Sequence, residues 1–314
     1  MSKGNVLLGM ARGAVGDIVF SRLKGQQVTR ARNRQPANPR TSSQMYQRAL
    51  FTDAVKFFTR GRRNLFQFAF ENKKENESDY NAFMRENAKR GVVISKAAFD
   101  NYGYPALGNW IMSKGTLVPL NATMVAVSGD MGATIDIPVT TELTAVTTVA
   151  DLSSLIVDGV DFLQGDIITI VNVASDPTEV PNVDGVVQMD TEWKINQLQL
   201  TNSTQPLADF GISATITTIE NVKTLRIRAT SSFSDQLAVA GTAIHSRNTQ
   251  NGVRVSTQEI VLSTIAQTNI DAARQRSYID AVVESWRITQ QAPVVSEAVM
   301  QGSIAQSIAV DFSE

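Results

Sequence analysis

Cysteine is absent from the chain and histidine occurs once, as His245. These absences exclude disulfides, thiolate nucleophiles and the Cys- and His-rich ligand sets of structural zinc. No stretch of eighteen apolar residues occurs, so no helical membrane span is expected. The apolar residues between Val6 and Met10 are too few for the core of a signal peptide. These absences fit an intracellular or virion protein with no membrane partner. What the chain does contain is ordinary for a globular protein: 43% hydrophobic and 19% charged residues in 314. That length allows one large core or two modest ones, so two domains, or a domain with a substantial extension, are expected.

The groups that carry catalysis are equally scarce. Gly9-Met10-Ala11-Arg12-Gly13-Ala14-Val15-Gly16 is glycine-rich but lacks the Gly-Lys-Ser/Thr ending of a phosphate loop. It also does not lead from a strand into a helix, and it reads as a bend. A Ser–His–Asp triad would have to use His245, and no Gly-x-Ser-x-Gly elbow accompanies it. His245 reads instead as a hydrogen-bonded or solvent-facing strand residue. Asp158, Asp161 and Asp166 cluster around Gly159 and Gly165, but their spacing fits no EF-hand, and turn chemistry accounts for them. No catalytic residue, cofactor or metal is expected, and the chain is read as not an enzyme.

The one unusual feature is charge placement. Residues 1–63 hold 13 Lys and Arg against Asp17 and Asp53, whereas 101–314 hold 10 basic and 22 acidic residues. Sign separation on this scale points to different partners for the two parts, or to attraction between the basic part of one subunit and the acidic part of the next. The candidate contact residues are Arg22, Lys24, Arg30, Arg32, Arg34, Arg40, Arg60, Arg62 and Arg63. Arginine dominates this set, and its planar fork suits phosphate or carboxylate.

Periodicity divides the chain into four parts. Residues 1–40 are expected to form a basic β-hairpin arm. Its strand candidates are Asn5–Leu8, Asp17–Arg22 and Gln26–Asn33, with a turn at Leu23-Lys24-Gly25 and a proline strap over 34–40. Val28, Arg30 and Arg32 share one face, because side chains repeat every two residues. Residues 41–118 read as a small helical region. Thr41 and Gln44 open its first helix, Leu50, Ala54, Phe57 and Phe58 recur at helical spacing up to Gly61, and Ser78–Lys89 forms a second helix. Leu65, Phe66, Phe68 and Phe70 add apolar mass to that core. Residues 119–267 read as a β-rich domain with strands at Met124–Ser128, Ala133–Val139, Asp166–Ala174, Leu198–Thr201, Val222–Ala229, Gly241–Arg247 and Val253–Ser263. A hairpin is expected at Asn251-Gly252 and a short helix at Asp151–Val157. Residues 268–314 read as one helix, Thr268–Trp286, and a tail beyond Pro293. The fold class is α+β, with a mainly antiparallel β domain and one late helix.

Three segments in order, Gly13–Ser21, Lys24–Arg30 and Asn38-Pro39-Arg40-Thr41 with Gln44–Phe51, carry a resemblance. They resemble the N-terminal part of uncharacterised DUF6266-like proteins of Bacteroidota and their bacteriophages, over about residues 4–60. A weaker likeness runs through Ile244-His245-Ser246-Arg247 and Val253-Arg254-Val255-Ser256. The resemblance implies a phage or phage-derived setting and brings no catalytic residues. The expectation is a non-enzymatic virion structural or assembly protein, a homo-oligomer or a partner of other virion proteins. Its basic arm would contact neighbouring subunits or packaged nucleic acid. The alternative is a nucleic-acid-binding protein, with single-stranded DNA among its targets. A third reading, resting on the β body and Trp193, is a host-surface or glycan-binding module.

Overall fold

The computed structural model describes residues 13–23, 26–34, 41–61, 65–74, 77–93, 107–139, 145–157, 162–179 and 187–290. The chain divides into two compact units, Met1–Thr41 and Ser42–Glu314. In the first unit, β1 (Gly13–Val15), β2 (Ile18–Leu23) and β3 (Gln26–Ala31) form an antiparallel sheet in that order. The glycine-rich stretch read as a bend thus contributes a strand. Gly13 and Gly16 sit at φ 105° and 56°, and the Gly16-Asp17 turn brings Val15 opposite Ile18. Leu23 pairs with Gln26 across the second hairpin. Lys24 and Gly25 themselves, the Asn5–Leu8 candidate and residues 35–40 of the strap lie outside the described residues.

The second unit opens with α1 (Ser42–Gly61) and α2 (Asp79–Asn87). Ser78 caps α2 by accepting from the Asn81 N–H at 3.2 Å. There follow β4 (Ile111–Ser113), β5 (Ala122–Val127), β6 (Asp130–Pro138), α3 (Val149–Val157), β7 (Ile167–Glu179) and β8 (Val187–Gln199). The chain continues through β9 (Ile212–Ile219), β10 (Val222–Ala229), β11 (Phe233–Ser234), β12 (Ala238–Thr249) and β13 (Gly252–Val255). It ends with β14 (Gln258–Glu259), β15 (Val261–Leu262), α4 (Thr264–Ala273) and α5 (Arg276–Gln290). The α+β class and the antiparallel pairing are as expected.

Two five-stranded sheets form the centre. One runs β11-β6-β10-β9, with β5 also on β6; the other runs β13-β12-β7-β8, with β15 also on β12. The second sheet is a middle layer. Ile168, Ile170, Leu198 and Ala243 on one face meet Ile135, Leu225 and Ile227 of the other sheet, with α3 closing the cluster. Val171, Val173, Ala240 and Ile244 on the opposite face meet Phe57, Phe58, Phe66, Phe83 and Trp110. The period-two alternation of β7 therefore feeds two cores, which is why Ile167–Val173 has apolar residues at both odd and even positions, interrupted only by Thr169 and Asn172. Phe57 lies 4.6 Å from both Trp110 and Trp193, centroid to centroid. The aromatic residues of the helical region thus pack onto the sheet and do not form a separate core. Phe68 is an exception, exposed at 53%.

Buried polar side chains join the layers. The Asn172 amide accepts from the Ala133 N–H at 2.7 Å and donates to the Ser231 carbonyl at 3.1 Å, tying the two sheets together. A Cβ on Gly241 would lie 2.7 Å from Asn172 Oδ1 and 2.8 Å from Ala133 Cβ, so this contact needs glycine. Asn87 acts as a strand mimic at the end of α2: it donates to the Ile111 carbonyl at 2.9 Å and accepts from the Ile111 N–H at 2.8 Å.

Several boundaries differ from the sequence expectation. β8 begins at Val187 and ends at Gln199, where only Leu198–Thr201 was expected, and β9 was not expected. Glu220 and Asn221, at φ 49° and 65°, make the tight turn that joins β9 to β10. β7 runs on through Pro177 to Glu179; proline is tolerated there because β12 pairs with β7 only up to Ser175. Thr249 pairs with Gly252, so the late hairpin turns on Gln250-Asn251, one residue earlier than expected. The Val253–Ser263 strand is broken into β13, β14 and β15.

The expected helix Thr268–Trp286 is also two helices. Ala266 and Ile270 are buried on α4, and Ala273 near its end joins Tyr278 and Val282 of α5 in one cluster with Leu50 and Val93. At about 100° per residue, Tyr278 on a straight helix would sit roughly 140° round from Ala273. The break at Arg274-Gln275 lets Ala273 and Tyr278 reach the same cluster. The tail beyond Pro293 lies outside the described residues.

Candidate functional site

Pairing in the N-terminal sheet sorts its residues by chemistry. Val15, Ile18, Phe20, Thr29 and Ala31 occupy one face, and Ala14, Val19, Ser21, Val28 and Arg30 the other. Arg22, opposite Gln27, continues the first face by register, and the other residues of that face carry no charge. Val15 and Ile18 on it are 51% and 45% exposed. No described side chain of this unit is buried. A sheet this small is marginal without a covered apolar face.

The nine candidate contact residues are distributed unequally. Arg30 and Arg32 are exposed and make no side-chain hydrogen bond or ion pair among the described residues. Arg34 is not free: its Nε donates to Asp17 Oδ1 at 2.9 Å, and Nη2 pairs with the same oxygen. The Arg32 N–H donates to the Asp17 carbonyl at 2.6 Å, so Asp17 holds the segment after β3 against the first turn. Arg22 lies in β2, and Arg60 is exposed in the last turn of α1. Lys24, Arg40, Arg62 and Arg63 lie outside the described residues.

The second constellation is buried and was not expected as a unit. Asp166, 1% exposed, accepts from Arg247 Nε at 2.7 Å on Oδ1 and from Arg247 Nη2 at 2.8 Å on Oδ2. Oδ2 also accepts from the Leu163 N–H at 2.8 Å and lies 2.8 Å from His245 Nε2. Burial pushes the Asp166 carboxyl up, but the Arg247 fork, the Leu163 N–H and His245 outweigh it and hold the carboxyl below its usual value. An ionised Asp166 only accepts, which places the imidazole proton on Nε2. Nδ1 is buried and has no hydrogen-bond partner among the described residues, while the Phe162 ring lies 4.4 Å from the imidazole, centroid to centroid.

This geometry resembles the His–Asp half of a triad, but the parts are arranged for holding. Arg247 occupies the carboxylate that would orient a base, and Ser256 Oγ accepts from the His245 backbone N–H at 3.0 Å. Beside it, a groove of about 420 Å³ is lined by Leu117, Val118, Phe162, Leu163, Arg247 and Arg254. Arg247 and Arg254 sit opposite each other in the β12–β13 ladder. Each has a carboxylate partner, Asp166 for the first and Glu71, at 3.5 Å, for the second. Asp158 and Asp161 lie outside the described residues, and among the described residues no three acidic or histidine side chains are placed to hold a metal ion. Asp166, the third candidate of that group, is an ion-pair residue. Trp193 is packed against Phe57 and Phe66, so it is not presented as a platform for a sugar.

Sequence reading singled out Asp166 and His245 separately and missed Arg247 as their partner. The available signal was the alternation His245-x-Arg247 on one strand, which puts both side chains on one face.

Comparison with known proteins bears out the resemblance over part of the chain. Residues 10–155 match the model of a family of unknown function (DUF6266), so this span is DUF6266-like. It covers the described N-terminal sheet and ends within α3, leaving Asp166, His245 and Arg247 outside. No curated protein and no solved structure matches the chain.

Proposed function

We propose that this DUF6266-like chain is a non-enzymatic structural protein, a subunit of a phage virion or its assembly, which uses its N-terminal sheet to grip a neighbour. One observation carries the reading: among the described residues, the sheet has exposed Val15 and Ile18 on one face, Arg30 and Arg32 without a side-chain partner towards the other, and no buried side chain. Exposed apolar surface on an element too small to hold itself marks a docking surface. The remainder of the chain supports the same reading. Its polar clusters (Asn172, Asn87 and Asp166 with Arg247) join layers of the fold. The phage setting rests on the family resemblance.

Deleting residues 1–40 and measuring mass by size-exclusion chromatography with light scattering tests the reading. Smaller assemblies and lost incorporation into virions are expected, and unchanged assembly and incorporation would overturn it. The unpaired Arg30 and Arg32 also favour a second reading, contact with nucleic acid. Each phosphate contact lowers affinity as salt rises, with a slope of about −0.7 to −0.9 in log–log form. A binding isotherm with a flat salt response, or no binding at low salt, rejects that second reading.

A further inference from the structure

We infer that the cleft between residues 65–69 and one end of the β13-β12-β7-β8 sheet binds a single ring of a neutral sugar.

The cleft is built where the aromatic layer stops. On the sheet face that meets Phe57 and Trp110, Trp193 stands opposite Val173 and Ile195 opposite Val171. Two residues further along, the composition changes: Thr169 lies between Gln197 and Ile244, and Ile167 then lies beside Ser246. Asn248 and Val253 form the next pair on the same face. Hydroxyls and amides are thus interleaved with aliphatic side chains, and Leu65, Gln67, Phe68 and Ala69 supply the remaining wall. The space is about 210 Å³. That is less than the roughly 300 Å³ at which drug-sized sites begin. It equals about seven waters at roughly 30 Å³ each, the bulk of one sugar ring.

Three observations select the ligand. No described residue lining the cleft is charged, so neither an anion nor a cation finds a counter-charge there. Phe68 is 53% exposed, although Phe66 and Phe70 beside it are buried. The loop is also pinned, with the Lys114 N–H donating to the Ala69 carbonyl at 2.8 Å and the Glu71 N–H to the Lys114 carbonyl at 2.9 Å. A ring held in place but left uncovered offers its apolar face to the C–H side of a pyranose. Finally, the hydroxyl of Thr169, 3% exposed, accepts from Gln197 Nε2 at 3.2 Å and donates to no described group. A buried donor without an acceptor is costly, and a ligand oxygen in the cleft supplies one. The Asn248 amide and Gln197 Oε1 make no hydrogen bond among the described residues. Donors and acceptors are therefore both on offer, as a ring of hydroxyls requires. A purely aliphatic ligand would leave them unused.

Saturation-transfer NMR and calorimetric titration of the full-length protein with glucose, galactose, mannose, fucose and N-acetylglucosamine test the site. An array of neutral and sialylated glycans separates a free sugar from the end of a glycan. At least one neutral sugar is expected to bind with a Kd of about 1 mM, the range of a small ligand with few contacts. Phe68→Ala is expected to weaken binding about tenfold and Asn248→Ala at least about threefold. Phe51→Ala, which removes a comparably exposed ring on α1, is expected to leave it unchanged. Thr169→Val keeps the shape and removes the buried donor, so it is expected to weaken binding without lowering Tm. Circular dichroism confirms that each variant folds.

No binding by any of the neutral sugars and glycans, or binding that Phe68→Ala leaves intact, would overturn the inference. Binding confined to sialylated glycans would do the same, because it requires a counter-charge that the described lining lacks. Uptake of an apolar dye that disappears with Phe68→Ala, without sugar binding, would instead assign Phe68 to a protein-docking patch.

Discussion

Arg247 is the residue whose removal best separates holding from chemistry in the Asp166 cluster. In Arg247→Met the carboxylate of Asp166, 1% exposed, loses its two-pronged partner and keeps only His245 and the Leu163 N–H. Removing one member of a buried pair costs about 3–5 kcal/mol. The Arg247 side chain is 21% exposed, which places the expectation at the low end, about 3 kcal/mol. Urea unfolding followed by tryptophan fluorescence reads this directly, since Trp110 is buried and Trp193 packs beside it against Phe57. With a slope of about 3 kcal/mol/M, the midpoint falls by about 1 M.

The pH dependence carries the sign. In the native protein Asp166 is held below its usual value, so its contribution is present above the unfolded-state value and lost as pH falls through the folded one. Without Arg247, burial raises the folded value, and the native state takes up a proton as pH falls. The deficit of the variant is therefore expected to shrink between pH 7 and pH 4. Adding Asp166→Asn to Arg247→Met should recover part of the loss, because no buried charge is then stranded. A cost below about 1 kcal/mol at pH 7, the range of an exposed pair, or a cost equal at both pH values would refute the reasoning.

Three further outcomes follow from single sites. Burial pushes the Asp53 carboxyl up to about 7 against the pull of the Val92 N–H and Lys56, so stability is fullest below the unfolded-state value and declines as pH rises through about 7. Asp53→Asn should flatten that decline in chemical melts between pH 5 and pH 8. The gain at pH 8 has a ceiling of about 4 kcal/mol, from roughly 1.4 kcal/mol per unit. Asn87→Ala strips both bonds from buried Ile111 backbone groups and should cost about 2–4 kcal/mol, seen calorimetrically as a fall of about 5 °C or more in Tm. Gly241→Ala forces a methyl against Asn172 and Ala133 and should cost about 1–3 kcal/mol, whereas Gly129→Ala, where a Cβ meets nothing, should show only the backbone strain of its positive φ.

What was legible in the sequence, and what was not, follows from how each element meets its neighbours. α1 was legible because Leu50, Ala54, Phe57 and Phe58 recur at helical spacing and are all buried, Leu50 against α5 and the other three in the aromatic core. β8 was not, because only alternate residues face the aromatic core. Trp193 and Ile195 do, while Lys194 and Asn196 reach the carbonyls of Ser232 and Phe210 in the loops of the other sheet. A strand that is half polar and satisfied by distant loops leaves no apolar run to detect. The break between α4 and α5 was hidden for a related reason: no proline or glycine marks it, and what it achieves, bringing Ala273 and Tyr278 to one cluster with Leu50 and Val93, is set by distant residues.

The same reasoning explains why the candidate sites were unequally visible. Asp166 lies 79 residues from His245 and 81 from Arg247, and only the register that sets Ser246 opposite Ile167 brings them together. No local spacing encodes that. The N-terminal sheet is the opposite case, since its charge could be counted and the common face of Val28 and Arg30 followed from the strand period. What counting could not show was the other face. Once Gly13–Val15 is a strand, Val15 stands beside Ile18, and a basic arm becomes a two-faced sheet with apolar surface to cover. A highly charged arm that merely solvates has no need of such a face. Its presence favours a sheet that is docked in the working assembly.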